Sequence, residues 1–252
     1  MANFTLRPED LMAEANKLSP VISAAQHAVT ENSENIDAGK ATSVAAGLID
    51  AARKARQTLA DVRKFPAGRR AEADEILATA ERSYSDWKES FATIELVFLA
   101  ELRVSMFKAP TGTDALIARS DAEQVLRRRD MLLTDVFRTL VRTDGPVAQL
   151  ALSPWLELVA TGRNADAGTL RILVETEFLR SAAAGGNDTA RTLLDAPAAY
   201  GKVRSAMSSI ASECLGVNRS AFADRALSWG SEAPQKDAEI RALRAQLKAF
   251  QK

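Results

Sequence analysis

Residues 69–109, RRAEADEILATAERSYSDWKESFATIELVFLAELRVSMFKA, contain neither glycine nor proline and lie between Gly68 and Pro110. As one α-helix this stretch would run about 60 Å at about 1.5 Å per residue, far beyond an ordinary helix of about 11–12 residues. Leu77, Ala80, Tyr84, Trp87, Phe91, Ile94, Phe98 and Leu102 recur three or four apart, so one face can pack continuously against neighbouring helices. The stretch predicts one very long central helix over about 70–108, with Leu77, Tyr84, Trp87, Phe91, Ile94 and Phe98 buried.

Outward from that helix the punctuation is also helical. Pro8, Pro20, Pro146, Pro154, Pro197 and Pro234 stand at or near the start of alanine-rich or amphipathic runs, a position where the missing N–H costs nothing, and a hairpin turn is expected near Pro66-Ala67-Gly68. Gly162, Gly185-Gly186, Gly216 and Gly230 follow such runs, as C-terminal caps do. Val44, Leu48, Ala52, Ala55, Leu59 and Val62 form one apolar stripe, and Tyr200, Val203, Met207, Ile210 and Cys214 another. Leu126, Leu133, Phe137 and Leu140 form a third, after a capping box read at Ser120 and Glu123. No sustained alternation of apolar and polar residues marks a strand, and no fixed period marks a repeat array.

These signals predict an all-α protein, an irregular bundle of about eight to ten helices. One helical domain is expected over 1–230, composed of N-terminal helices (1–68), the long helix (69–109) and packing helices (110–230). The Trp-Gly-Ser-Glu-Ala-Pro stretch at 229–234 then leads into a C-terminal helical arm over 231–252. Ile240, Leu243, Leu247 and Phe250 give that arm an apolar edge, with Asp237 and Glu239 early and Arg244, Lys248 and Lys252 late, as a helix dipole favours.

Composition narrows the function. With 46% hydrophobic residues the 252-residue chain can bury a sizeable core, and 33 basic against 33 acidic residues leave no overall field to attract nucleic acid or an anionic membrane. One cysteine, Cys214, and one histidine, His27, do not make a disulfide framework or a set of soft metal ligands. The first ten residues lack the basic start and apolar core of a secretion signal, and the most apolar run, 91–107, is interrupted by Glu95, Glu101 and Arg103. The expectation is a protein of the cytoplasm or of a particle assembled inside the cell, with no membrane partner.

Charge is nevertheless arranged. Residues 53–70 carry Arg53, Lys54, Arg56, Arg63, Lys64, Arg69 and Arg70 against Asp61, a net +6, while residues 71–101 carry a net −6. Such faces suit docking between subunits, or phosphate binding by the basic side, although a solvated pair of faces is the commoner outcome of charge runs. Docking is favoured over nucleic acid, because the basic run has no interleaved aromatics.

The remaining motifs are weak. Arg127-Arg128-Arg129, read as part of an amphipathic helix, spreads over about 200° of its circumference and makes no patch. Ser85-x-x-Lys88 has the spacing of a penicillin-recognising nucleophile without the companion motifs, and Gly39-Lys40 lacks the upstream glycine of a phosphate loop. Asn187-Asp188-Thr189 and Asn218-Arg219-Ser220 read as helix starts. His27 reads as a packed or surface residue and Cys214 as a core thiol. Glu95, Glu101 and Arg103, set in a run apolar on nearly every side, are expected to be buried, as an ion pair or intersubunit contact in preference to an acid–base centre.

No catalytic residue, metal ligand or cofactor site is assigned. The sequence favours a non-enzymatic structural or assembly protein: an adaptor, connector or scaffold subunit of a homo-oligomeric or larger particle. A virion head-to-tail adaptor is one concrete instance, by analogy of architecture alone. Candidate contact residues are Arg53, Lys54, Arg56, Arg63, Lys64, Arg69 and Arg70 together with Ile240, Leu243, Leu247 and Phe250, and the partners are protein subunits, self or other. A nucleic-acid-associated protein using residues 53–70 is the alternative, and an enzyme needing neither metal nor histidine the third reading.

Overall fold

The computed structural model describes residues 8–17, 19–127, 131–143 and 145–228. Among them the regular structure is helical and no strand occurs. In order the helices are α1 (Pro8–Ala15), α2 (Pro20–Asn32), α3 (Ala41–Ala60), α4 (Pro66–Met106), α5 (Gly112–Leu126), α6 (Leu133–Val141), α7 (Pro146–Ala151), α8 (Trp155–Gly162), α9 (Ala167–Ala184) and α10 (Asp188–Leu215). A 3-10 turn (Val217–Arg219) and a helix over 221–228 follow. The arm expected over 231–252 lies outside the described residues.

The long helix is as the missing breakers predict, 41 residues without interruption. Gly68 falls inside its first turn, so the helix starts at Pro66, whose fixed φ suits that position. Leu77, Trp87 and Phe91 are buried as expected, whereas Tyr84, Ile94 and Phe98 are half-buried.

The chain forms two compact units. Of the described residues, the first takes 8–17, 19–34, 38–93 and 201–228. There α3 packs on both α1 and α2, and its stripe Leu48, Ala52, Ala55 and Leu59 is buried, with Val44 and Val62 at the margin. From α10 come Val203, Met207, Ile210 and Cys214, all buried, and α4 contributes Ala73, Leu77, Trp87 and Phe91. The Trp87 indole N–H donates to the Ala38 carbonyl at 3.2 Å, so a large ring is buried without stranding its polar atom. Burial also pushes the Cys214 thiol up to about 11, which keeps it protonated and inert near neutral pH.

The second unit takes residues 35–37 and 94–200. Its core gathers Ala118 and Ala122 of α5, Phe137 and Leu140 of α6, Leu150 and Ala151 of α7, Trp155 and Leu156 of α8, and Leu170 and Val174 of α9. Phe137 meets Trp155 with ring centroids 5.9 Å apart. Tyr200 stands edge-on to Phe98 and donates its hydroxyl to the Asp37 carbonyl at 3.0 Å. Asp166 caps α9 through the Gly168 N–H, and Asn187 caps α10 through the Ala190 N–H, as its sequence context implies. Likewise the Ser220 hydroxyl oxygen accepts from the Ala223 N–H at the start of the 221–228 helix, in the first unit.

Several local expectations fail for identifiable reasons. Ser120 and Glu123 are not a capping box, because α5 has begun at Gly112, just past Pro110, and Ser120 sits in mid-helix. The stripe Leu126–Leu140 is broken at its middle: α5 ends at Leu126 with Arg127 as its C-cap, so Arg127 is no longer inside a helix. Arg128 and Arg129 lie outside the described residues. Pro197 does not start a helix but lies inside α10, where the ring forfeits one ladder hydrogen bond. Glu101 and Arg103 are exposed, with the Arg103 guanidinium 4.0 Å from Glu175, and Glu95 is half-buried.

Phe91 is 2% exposed, lies 4.6 Å from the Trp87 ring and has the Arg204 guanidinium 5.8 Å from its centroid. Truncating it removes a fully buried ring and leaves a cavity in the core. Phe91→Ala is expected to lower the unfolding free energy by about 3–5 kcal/mol, read as a shift of the urea midpoint.

Candidate functional site

The seven cations of residues 53–70 do not share a surface. Arg53 pairs with Asp50 at 2.9 Å, Arg63 with Asp61 at 2.9 Å and Lys64 with Glu72 at 2.6 Å, all ordinary surface pairs. The hydrogen bond from Arg63 holds the Asp61 carboxyl below the usual carboxylate range. Lys54 and Arg70 are exposed.

Arg56 and Arg69 turn inward. The Arg56 guanidinium donates to the carbonyls of Glu14 (2.9 Å) and Lys17 (3.1 Å), satisfying acceptors at the end of α1, and lies 4.5 Å from the Phe222 ring centre. Arg69 has no exposed surface at all. Its Nη1 donates to the Leu59 carbonyl at 2.6 Å and to the Ala226 carbonyl at 2.9 Å. One cation thus ties the end of α3, the first turns of α4 and the 221–228 helix. Burial lowers the Arg69 pKa, opposed by the charge of Asp61, yet a guanidinium stays protonated at any ordinary pH. Two of the seven candidate contact residues are therefore structural ties. Their phase carries a sequence signal: Arg69, Ala73 and Leu77 are four apart, on the buried face of α4.

Two other surfaces stand out. The first, in the first unit, is a groove of about 730 Å³ between α3 and α4. Its α3 wall carries Val44, Gly47, Asp50, Ala51 and Lys54, and its α4 wall Glu72, Glu75, Ile76, Thr79 and Ala80. A second concavity of about 460 Å³ shares Lys54, Glu72 and Ile76 and extends the groove past Asp61 and Lys64 to Met12 of α1. Gly47 is the informative residue. Glycine inside a helix costs about 1 kcal/mol relative to alanine, yet a Cβ at Gly47 would meet nothing within 4 Å. Nothing in the described chain requires a glycine there.

The second surface, in the second unit, is the outer face of α4. Leu96 (70% exposed), Val97 (51%), Ala100 and Val104 (73%) are all exposed. At about 100° per residue these four fall within a single 100° arc. Ile94, Phe98 and Leu102, which are half-buried, occupy the opposite side. This part of α4 is apolar on both faces, and only one is covered. Leu116, Ile117, Leu132, Leu158 and Ile172 are further exposed apolar side chains of the same unit.

Among the described residues, no group of three or more His, Cys, Asp and Glu could hold a metal ion, and no helix is long and apolar enough to cross a membrane. His27, on α2, and Ser85 and Lys88, on α4, are exposed. Ile240, Leu243, Leu247 and Phe250 lie outside the described residues. No family model matches the chain, and no curated protein or solved structure does so either.

Arg69→Ala leaves the Leu59 and Ala226 carbonyls without their donor, and is expected to cost about 1–3 kcal/mol in urea denaturation. Arg63→Ala, which removes an exposed side chain, should leave the midpoint unchanged. Equal effects of the two would refute the distinction between inward and surface cations.

Proposed function

We propose that the chain is a non-enzymatic structural protein: a helical adaptor or scaffold subunit that assembles with further copies of itself, alone or within a larger particle. The observation that carries this reading is the outer face of α4, where Leu96, Val97, Ala100 and Val104 leave an apolar stripe in water. Scattered apolar residues on a surface are normal, but a stripe at helical period is the pattern of a helix that packs on both sides. A second copy is the fitting partner because a single straight stripe is self-complementary: two such helices crossing about a two-fold axis bury the same four residues from each side. The other exposed apolar side chains of this unit supply area around that contact. An isolated stripe would bury less than a stable interface requires, about 1,000 Å² or more.

The basic segment serves this reading less than its charge implies. With Arg56 and Arg69 committed to backbone carbonyls and Arg53, Arg63 and Lys64 to carboxylates, little of the net +6 is presented to phosphate.

Sedimentation equilibrium tests the proposal. The wild-type protein should sediment as a dimer or larger species, and the pair Leu96→Glu and Val104→Glu should shift it to the monomer with helical content and unfolding midpoint unchanged. A wild-type protein that stays monomeric at high concentration would overturn it.

A further inference from the structure

We infer that the α3–α4 groove is the docking site of this chain's own 237–252 segment, bound in the same molecule. This inference does not depend on self-association through α4, since it concerns a different face in the other unit.

On its α3 side the groove is long enough to seat a helix. That wall runs from Ser43 to Asp61, about 27 Å at about 1.5 Å per residue, the α4 wall from Glu72 to Ser83 about 17 Å, and the 16 residues 237–252 as a helix would span about 24 Å. Small residues, Gly47, Ala51 and Ala80, line it, which lets a second helix approach closely. That supplies the reason for Gly47 that the described contacts lack. In sequence the segment is a narrow ridge, because Ile240, Leu243, Leu247 and Phe250 fall within about 80° of a helical circumference.

Connection favours the same molecule over another. The 221–228 helix is fixed by Ala226 to Arg69 and by an ion pair between Arg225 and Glu14, beside the groove end that Met12, Lys64 and Glu72 line. From there residues 229–236 span at most about 28 Å before residue 237. A tether this short gives an effective concentration of the order of millimolar, above that of any second copy at working dilution.

Hydrogen–deuterium exchange on the full chain tests this. Amides of 240–252 should exchange at least about 10-fold more slowly than an unstructured peptide, to the same extent at about 1 and 100 µM protein. Gly47→Arg plants a charged side chain in the groove at a position with open space and helical backbone, so α3 stays folded, and it should abolish the protection; Leu247→Asp should do the same from the other side. The Leu96→Glu, Val104→Glu pair should leave the protection intact, which separates this inference from the proposed assembly. Protection that rises with protein concentration would assign the groove to the segment of a second copy and overturn the inference. So would protection unaltered by Gly47→Arg, or none in the wild-type chain.

Discussion

The guanidinium of Arg69 is the point on which three helices of the first unit converge. A buried charge is costly, and it persists because carbonyl oxygens at Leu59 and Ala226 receive it, both left over where helices end or loosen. Its Nε and Nη2 find no protein acceptor among the described residues, so the arrangement is held by location more than by full satisfaction. Arg56 repeats the device one layer away, on the carbonyls that close α1. Arg69 thereby holds α3 and α4 together at their turn end and Arg56 ties α3 to α1, while the groove opens along the length of α3 and α4.

Long-range order in this chain was legible wherever it depended on backbone chemistry. A helix persists until something stops it, so the breaker-free run from Arg69 lies in one 41-residue helix, Pro66–Met106, and Asn187 caps α10 where its short side chain can reach an amide. Errors arose where two signals competed within a few residues. Ser120 had capping chemistry but came after Thr111 had already admitted the chain to α5, and Pro197 had the look of a start although Asn187, at the Gly185-Gly186 break, had begun α10 ten residues earlier.

The surfaces were harder to read, for a physical reason. Charge is visible in sequence, but whether a cation points at water or at a carbonyl is decided by which helix ends fold against it. Arg56 and Arg69 therefore looked like part of a patch and are structural. Conversely, the run 91–107 is apolar on nearly every side in sequence, yet the fold covers only one face of it and leaves Glu101 and Arg103 exposed, along with Leu96, Val97 and Val104. Gly47 went unmarked because a lone glycine in a helix gains meaning only when the space beside it is known.

The central claim is that surfaces carry the function, foremost the outer face of α4 as a contact between copies. Residue-resolved crosslinking of the wild-type protein, with light and heavy isotope-labelled chains mixed and allowed to exchange, tests it most directly. Mixed-isotope links should concentrate on residues flanking the stripe, such as Glu101, Arg103 and Lys108. Mixed links confined to residues 53–70, or an absence of mixed links while links within the chain form readily, would contradict the account.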